Sequence, residues 1–147
     1  MSRNSVDYEK DFYAWTVEQA RLLCSGELSA VDIENIAEEI ESMGRSDRRA
    51  IESRLTVLLT YLLKWQMQPQ MRSPSWSATI REQRRRIEKL LRESPSPQPF
   101  FAAALAEAFA EAREDAADET GLAEAAFPEA CPFSAEQVLS REFLPEP

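Results

Sequence analysis

The sequence predicts an all-α protein, and three features of it lead to that prediction. Apolar residues recur at spacings of three and four, without the alternation that is typical of strands. Glycine, which interrupts regular structure, occurs only 3 times in 147 residues. Capping signals and prolines fall at the ends of the apolar stretches. We therefore expect a single helical domain over residues 1–147, a compact bundle of five to six helices with an ordered, partly irregular C-terminal tail.

The chain is predicted to begin with two helices, of which the second is acidic. The first contains Trp15 on its apolar face and ends at Gly26, a residue suited to a left-handed C-cap. The second begins at a capping box formed by Ser29 and Asp32. Its apolar face comprises Ile33, Ile36, Ala37, Ile40 and Met43. Whether Gly44 ends this helix or only bends a longer one stays open.

A leucine-rich helix follows, and we expect it at the centre of the core because it carries the widest apolar stripe. That stripe comprises Ile51, Leu55, Leu58, Leu59, Leu62 and Leu63. Pro69 ends the helix, since the residue before a proline avoids helical dihedrals. Ser73 and Pro74 suit the N-cap and first turn of the next helix. The next helix buries Ile80, Ile87, Leu90 and Leu91 and carries six cations: Arg81, Arg84, Arg85, Arg86, Lys89 and Arg92.

The remaining chain is predicted to contain a linker and two more helices. Residues 94–99 are rich in proline and serine, as linkers are. An alanine-rich helix with strong intrinsic propensity follows and ends at Gly121. Its apolar face comprises Phe101, Leu105, Ala108, Phe109, Ala112 and Ala116. Ser134 and Gln137 form a capping box for a last helix, which places Val138, Leu139, Phe143 and Leu144 against the body.

Composition argues against several functional classes. The chain contains no histidine, so it lacks the usual general base and the commonest metal ligand. We predict no catalytic residue, no cofactor and no metal site, and lean against an enzyme. Cys24 and Cys131 are expected to be small buried residues rather than a disulfide or zinc ligands. No apolar run approaches the roughly 18 residues of a membrane span, and residues 1–7 lack the apolar core of a signal peptide. We expect a cytoplasmic protein that does not bind membranes.

The net charge of −9 conceals three segments of different sign. Residues 1–44 carry 3 basic and 10 acidic groups, which gives −7. Residues 45–93 carry 12 basic and 5 acidic groups, which gives +7, and residues 94–147 carry 2 and 11, which gives −9. The basic middle can bind phosphates through the cationic helix at Arg81–Arg92. Neutralisation by the protein's own acidic flanks is the favoured interpretation, because nucleic-acid binders are usually basic overall.

Two further groups of residues are candidate sites. The acidic cluster Glu34, Glu38, Glu39 and Glu41 can hold Mg²⁺ through carboxylates and water, although a solvated face or an arginine-pairing surface is the favoured interpretation. The segment from Trp65 to Trp76 combines large rings with planar polar groups, which suits a ligand pocket or a protein hot spot as well as a packed corner. The candidate polar cluster comprises Glu38, Glu39, Glu41, Trp65, Gln66, Arg72, Trp76 and Arg84. We expect Arg72 and Arg84 to pair with carboxylates of this cluster.

The same residues carry a resemblance to a known family. The chain contains Asp32-x-x-Asn35-x-x-Glu38-Glu39-Ile40-Glu41, then Leu62-Leu63-Lys64-Trp65-Gln66, Arg72-Ser73 and Ser75-Trp76. In these motifs it resembles the bacterial family called domain of unknown function 29, which is plentiful in cyanobacteria and also found in proteobacteria. The resemblance covers almost the whole chain. One departure is Tyr61, where the family often has a histidine, so no role of that histidine carries over. The resemblance implies an all-helical domain and brings no activity, cofactor or catalytic residue.

The biochemical function is therefore not specified by the sequence, and three hypotheses remain. The first is a small non-catalytic module that binds protein, either another protein or a second copy of itself. The second is nucleic-acid binding through the helix at Arg81–Arg92. The third is a ligand-binding or enzymatic pocket near Trp65–Trp76.

Overall fold

A computed structural model describes the backbone of residues 6–94 and 98–147 and the side chains of residues 6–94 and 101–147. Within these ranges the chain is all-α and contains no strand, which confirms the predicted class. Its helices are α1 Phe12–Ser25, α2 Ile33–Met67, α3 Pro74–Glu93, α4 Gln98–Thr120 and α5 Ala135–Leu139. The backbone forms two compact units, an N-terminal unit of residues 1–46 and a C-terminal unit of residues 47–147. That the chain acts as one domain stays a prediction.

The N-terminal unit begins with α1, whose two ends are capped by side chain and backbone. The carboxylate of Asp11 accepts a hydrogen bond from the amide of Ala14, and Gly26 adopts φ 77° at the C-terminus. A residue with a Cβ tolerates this left-handed conformation poorly, so glycine suits the position as predicted. The predicted Ser29 capping box is wrong, because Ser29 lies in a 3₁₀ turn, Leu28–Ala30. Asp32 stands immediately before the helix and accepts from the Asn35 amide at 3.4 Å.

Gly44 does not interrupt α2, which runs for 35 residues from Ile33 to Met67. A Cβ added at this glycine would meet nothing within 4 Å, so its presence is not required by a close contact. The question that the sequence left open is thereby answered in favour of one continuous helix. Glycine within a helix costs roughly 1 kcal/mol relative to alanine. Despite this cost, α2 continues through Gly44 without a break.

The core of the C-terminal unit is built from α2, α3, α4 and the tail. The leucine-rich stripe of α2 is buried at all six predicted positions, none more than 2% exposed, which confirms its central place. The predicted face of α4 is buried throughout as well. α3 contributes Ile80 and Ile87, whereas Leu90 and Leu91 are only partly buried. The tail contributes Phe127, Phe133 and Val138. Apolar burial of this kind stabilises a fold by about 25 cal/mol per Å².

Local signals set most of the remaining helix boundaries. The hydroxyl of Ser73 accepts from the Trp76 amide with Pro74 in the first turn of α3, and Ser134 and Gln137 form the predicted reciprocal capping box of α5. α5 is shorter than expected because it ends at Leu139, and Leu144 beyond it is exposed. The predicted linker is also shorter, since α4 already begins at Gln98. Residues 95–97 of that linker lie outside the described residues.

No helix among the described residues is long and apolar enough to cross a membrane.

Candidate interaction surfaces

The corner between α2 and α3 contains a lysine enclosed by aromatic rings. The ammonium nitrogen of Lys64 lies 4.4 Å from the ring centroid of Tyr61 and 4.8 Å from that of Trp76. The two rings meet edge to face at 6.5 Å, and the Lys64 side chain is only 9% exposed. Glu119 of α4 lies 3.4 Å from the same nitrogen. Ring quadrupoles and a carboxylate thus replace water around a buried cation, which describes a packed corner better than an open pocket.

Arg72 joins this corner to the end of α2. Its guanidinium carbon lies 4.8 Å from the Trp65 ring centroid, and its Nε donates to the Trp65 carbonyl at 2.9 Å. The bond satisfies a carbonyl that the end of a helix leaves free. The amide of Gln66 donates to the Glu146 carbonyl at 3.3 Å, which holds the end of the tail against α2. Within the described part of the chain, the buried atoms Gln66 Oε1 and Arg72 Nη2 have no hydrogen-bond partner.

Arg84 is a buried support for the C-terminal tail. Its side chain projects from α3, and the residue is 3% exposed. Nε donates to the Val138 carbonyl at 2.8 Å and Nη2 donates to the Gln137 carbonyl at 3.2 Å. Both carbonyls lie in the last turn of α5, where a cation also meets the negative end of the helix dipole. Burial lowers the pKa of the Arg84 guanidinium below its ordinary value.

The predicted pairing of arginines with the acidic cluster is wrong. Arg72 and Arg84 bond to backbone carbonyls of the C-terminal unit. The acidic residues have other neighbours, because Arg45 lies 2.9 Å from Glu38 and 3.8 Å from Glu41. The structure thus brings Trp65, Arg72 and the Lys64–Trp76 contact to one corner, places Arg84 at the tail, and places Glu38, Glu39 and Glu41 in the N-terminal unit.

The acidic cluster gives no metal-like grouping. Among the described residues, no three His, Cys, Asp or Glu side chains converge as metal ligands. Glu39 instead neighbours Tyr8, and partial burial together with that carboxylate raises the pKa of the tyrosine. Glu38 and Glu41 are exposed. Glu38 and Glu41 therefore face solvent and Arg45, whereas Glu39 faces Tyr8.

The exposed side of α3 carries a cationic stripe, with Glu88 and Glu82 beside it. Four exposed cations lie within about 80° of arc at about 100° per residue: Arg81, Arg85, Lys89 and Arg92. Glu82 pairs with Arg85 and Arg86, and Glu88 lies 3.5 Å from Arg92. Exposed pairs of this spacing are weak, so they reduce the positive field without removing it. An open pocket of about 420 Å³ lies near the end of α3, with Leu91 and Leu139 in its lining.

Asp32 organises the N-terminal unit. Its carboxylate accepts from the Trp15 indole at 3.1 Å and from the Asn35 amide group at 2.8 Å. Its own amide donates to the Gln19 side chain at 2.7 Å. The Asn35 hydrogen bond, followed by that of Trp15, holds the pKa of Asp32 below its usual value despite partial burial. One residue thus joins α1 to the start of α2.

The N-terminal unit also exposes more apolar side chains than its size predicts. Among the described residues, it contains eight of the eleven exposed large hydrophobic side chains, although it is less than half as long as the C-terminal unit. They are Phe12, Tyr13, Val17, Leu23, Leu28, Ile33, Ile40 and Met43. A concentration of exposed large apolar side chains in one unit makes that unit a candidate for an interaction site. Sequence reasoning identified the α2 members as an apolar face and missed that this face is exposed.

Cys24 adds to the exposed side of α1. It is a free, exposed thiol, so the expectation that it is buried is wrong. Cys131 is also free but half-buried, and its Sγ lies 3.4 Å from the Phe133 carbonyl. Burial raises the pKa of the Cys131 thiol. The two thiols therefore differ strongly in accessibility.

Comparison with known proteins identifies the family. The family model described as Domain of unknown function DUF29 matches residues 8–144, which is nearly the whole chain. Neither the curated proteins nor the solved structures give a match. The match includes both units and every residue of the predicted polar cluster. The chain belongs to the DUF29 family.

Proposed function

We propose that this protein is a non-catalytic protein-interaction module whose docking surface lies on the N-terminal unit. The observation that carries the proposal is the concentration of exposed large apolar side chains between Phe12 and Met43. Water contact with each such side chain forfeits about 1.5–3 kcal/mol relative to full burial. A partner that covers several of them gains that free energy, which is how apolar patches drive association.

The polar corner around Lys64 supports a structural role rather than a competing site. Its ammonium group is enclosed by Tyr61, Trp76 and Glu119, and the Arg72 guanidinium is bonded to the Trp65 carbonyl. Because these groups are already bonded to one another, they are poorly placed to bind a substrate. Their contacts favour a structural role in which the corner holds α2 against α3.

The test compares two pairs of exposed apolar residues in the full chain. The first variant carries Ile40→Ser with Met43→Ser, and the matched control carries Val57→Ser with Met71→Ser, all of them exposed positions. Each protein is crosslinked in cells and sedimented in purified form. We expect wild type and control to form the same defined complex and the Ile40/Met43 variant to lose it. A monomer with no crosslinked partner for wild type would overturn the proposal.

Nucleic-acid binding through α3 is the second candidate, and the cationic stripe from Arg81 to Arg92 favours it. The overall charge of −9 opposes it because the remaining surface repels phosphates. Arg84 is unsuitable for a test since it is buried in the tail contact. Replacing Arg85 and Lys89 by alanine should instead abolish salt-sensitive retention on heparin if the candidate is right. Absence of such retention for wild type would refute it.

A further inference from the structure

Seven consecutive residues within α2 are exposed to solvent. They are residues 43–49, and at about 100° per residue they complete about two turns, so every side of the helix faces solvent there. Most helical stability in proteins comes from the packing of an apolar face rather than from intrinsic propensity. The boundary between the two units falls inside this segment, between residues 46 and 47. The part of α2 that passes from one unit to the other therefore depends on local interactions for its helical form.

The residues of this exposed segment are poorly suited to the interior of a helix. Gly44, Ser46 and Asp47 all rank below alanine in helix propensity, and glycine ranks lowest of the three. A Cβ added at Gly44 would meet nothing within 4 Å, so the continuous helix gives no steric reason for glycine. Serine and aspartate hydrogen-bond to nearby backbone amides in non-helical conformations, which is why they favour helix starts. The sequence of the segment therefore stabilises a broken form relative to the continuous one.

The same residues can end one helix and begin another. Gly44 suits the left-handed position that follows a helix C-terminus, the conformation that Gly26 adopts after α1. Ser46 suits an N-cap. Asp47 would then lie in the first turn, where its negative charge meets the positive end of the helix dipole. One short stretch thus contains both a stop signal and a start signal, although α2 runs through it as a helix.

The ion pairs of the segment do not oppose a break strongly. Arg45 pairs with Glu38 and Glu41, towards the N-terminus of α2. Arg48 lies 3.3 Å from Glu52, towards the C-terminus. Exposed pairs of this kind contribute little to stability. Backbone hydrogen bonds and capping therefore decide between the continuous and the broken form.

We infer, independently of the proposed function, that α2 contains a joint that opens at residues 44–46. In the open form Gly44 is the left-handed C-cap of a helix that ends at Met43. Ser46 is the N-cap of a second helix that begins at Asp47. The backbone hydrogen bonds that span the break are lost, and capping satisfies part of the released groups. Opening therefore requires neither unit to unfold.

Proline distinguishes such a joint from an ordinary helix interior. Asp47→Pro places proline in the first turn of the second helix of the open form, a position that accepts it. The preceding N-cap also has the extended dihedrals that proline requires. Ser53→Pro is the matched control, because Ser53 is likewise exposed in α2 but is helical in both forms.

Hydrogen exchange of the full-length protein gives the readout for both proline variants. We expect Asp47→Pro to change the exchange rates of α1 and of the buried segment 58–63 by less than about twofold. Ser53→Pro should accelerate exchange in segment 58–63 by about a hundredfold, because proline in a helix interior removes a hydrogen bond and clashes with the preceding turn. Equal acceleration by the two variants would overturn the inference.

The capped open form of the wild-type protein is tested by exchange of the amides of residues 46–49. Gly44→Ala should slow it at least about fivefold, because alanine favours the helix and tolerates the left-handed cap poorly. Ser46→Ala should slow it about tenfold, since alanine is the better helix former and cannot cap. Ser53→Ala, the control, should change it by less than about twofold. If neither variant slows exchange more than the control does, or if these wild-type amides exchange as slowly as those of segment 58–63, the joint does not exist.

Discussion

Replacement of Arg84 by alanine should loosen the C-terminal tail. The guanidinium is buried and donates to the Val138 carbonyl at 2.8 Å and to the Gln137 carbonyl at 3.2 Å. A hydrogen bond that involves a charged group contributes about 1.5–3 kcal/mol. Removing the side chain also removes the cost of burying its charge, which offsets part of that loss. We expect the free energy of unfolding to fall by about 3 kcal/mol.

The assay is urea denaturation followed by circular dichroism, with limited proteolysis of the tail as a local readout. Arg85→Ala is the matched control because that side chain is 66% exposed and forms an exposed pair with Glu82. Its effect should stay below about 0.5 kcal/mol. Arg84→Lys should fall between the two, since a single ammonium group lacks the fork that reaches both carbonyls. If Arg84→Ala changes stability no more than Arg85→Ala does, the structural role of Arg84 is refuted.

Three further predictions test other parts of the structure. Because the pKa of Asp32 is lowered in the folded protein, the carboxylate stabilises the fold above its unfolded pKa of about 3.9, and this stabilisation is lost as the pH falls below that value through the lower pKa of the folded state. Asp32→Asn should therefore show a smaller loss of melting temperature on acidification than wild type. An unchanged loss would contradict this prediction. Cys24 should react with a thiol reagent much faster than Cys131, because Cys24 is exposed whereas Cys131 is half-buried and has a raised pKa. Cys24→Ser should therefore remove the fast phase of the thiol reaction. Persistence of that phase would be inconsistent with the burial described. Lys64→Met should lower stability by about 1–2 kcal/mol through loss of the ring contacts, and urea denaturation giving an equal or higher stability would show that the enclosed charge is unfavourable.

The sequence was most informative where a feature depends on local chemistry. The N-cap at Ser73 and the C-cap at Gly26 follow from side-chain hydrogen bonding and backbone freedom within a few residues. The buried stripe from Ile51 to Leu63 follows from helical periodicity. Such features need no knowledge of distant contacts, so they are predictable from one sequence.

Features that depend on distant contacts were not predictable in the same way. Periodicity identified the apolar face that contains Ile40, but it cannot report whether another helix covers that face. The charge count favoured an acidic partner for Arg84, whereas its actual acceptors are carbonyls 53 and 54 residues away. Cys24 lies in an apolar helix and is nevertheless exposed. Each error concerns which surface meets which, and that is decided by tertiary packing.

The central claim, that exposed apolar side chains of the N-terminal unit form a docking surface, is tested most directly by hydrogen exchange of the wild-type protein alone and in its crosslinked complex. Because a bound partner must cover Ile33, Ile40 and Met43, we predict slower exchange in the Ile33–Met43 segment of α2 in the complex. The acidic stretch of α4 from Glu107 to Asp118 should exchange at an unchanged rate, since it offers charge without exposed large apolar side chains. Slowing confined to α4, or spread evenly over both segments, would contradict the claim.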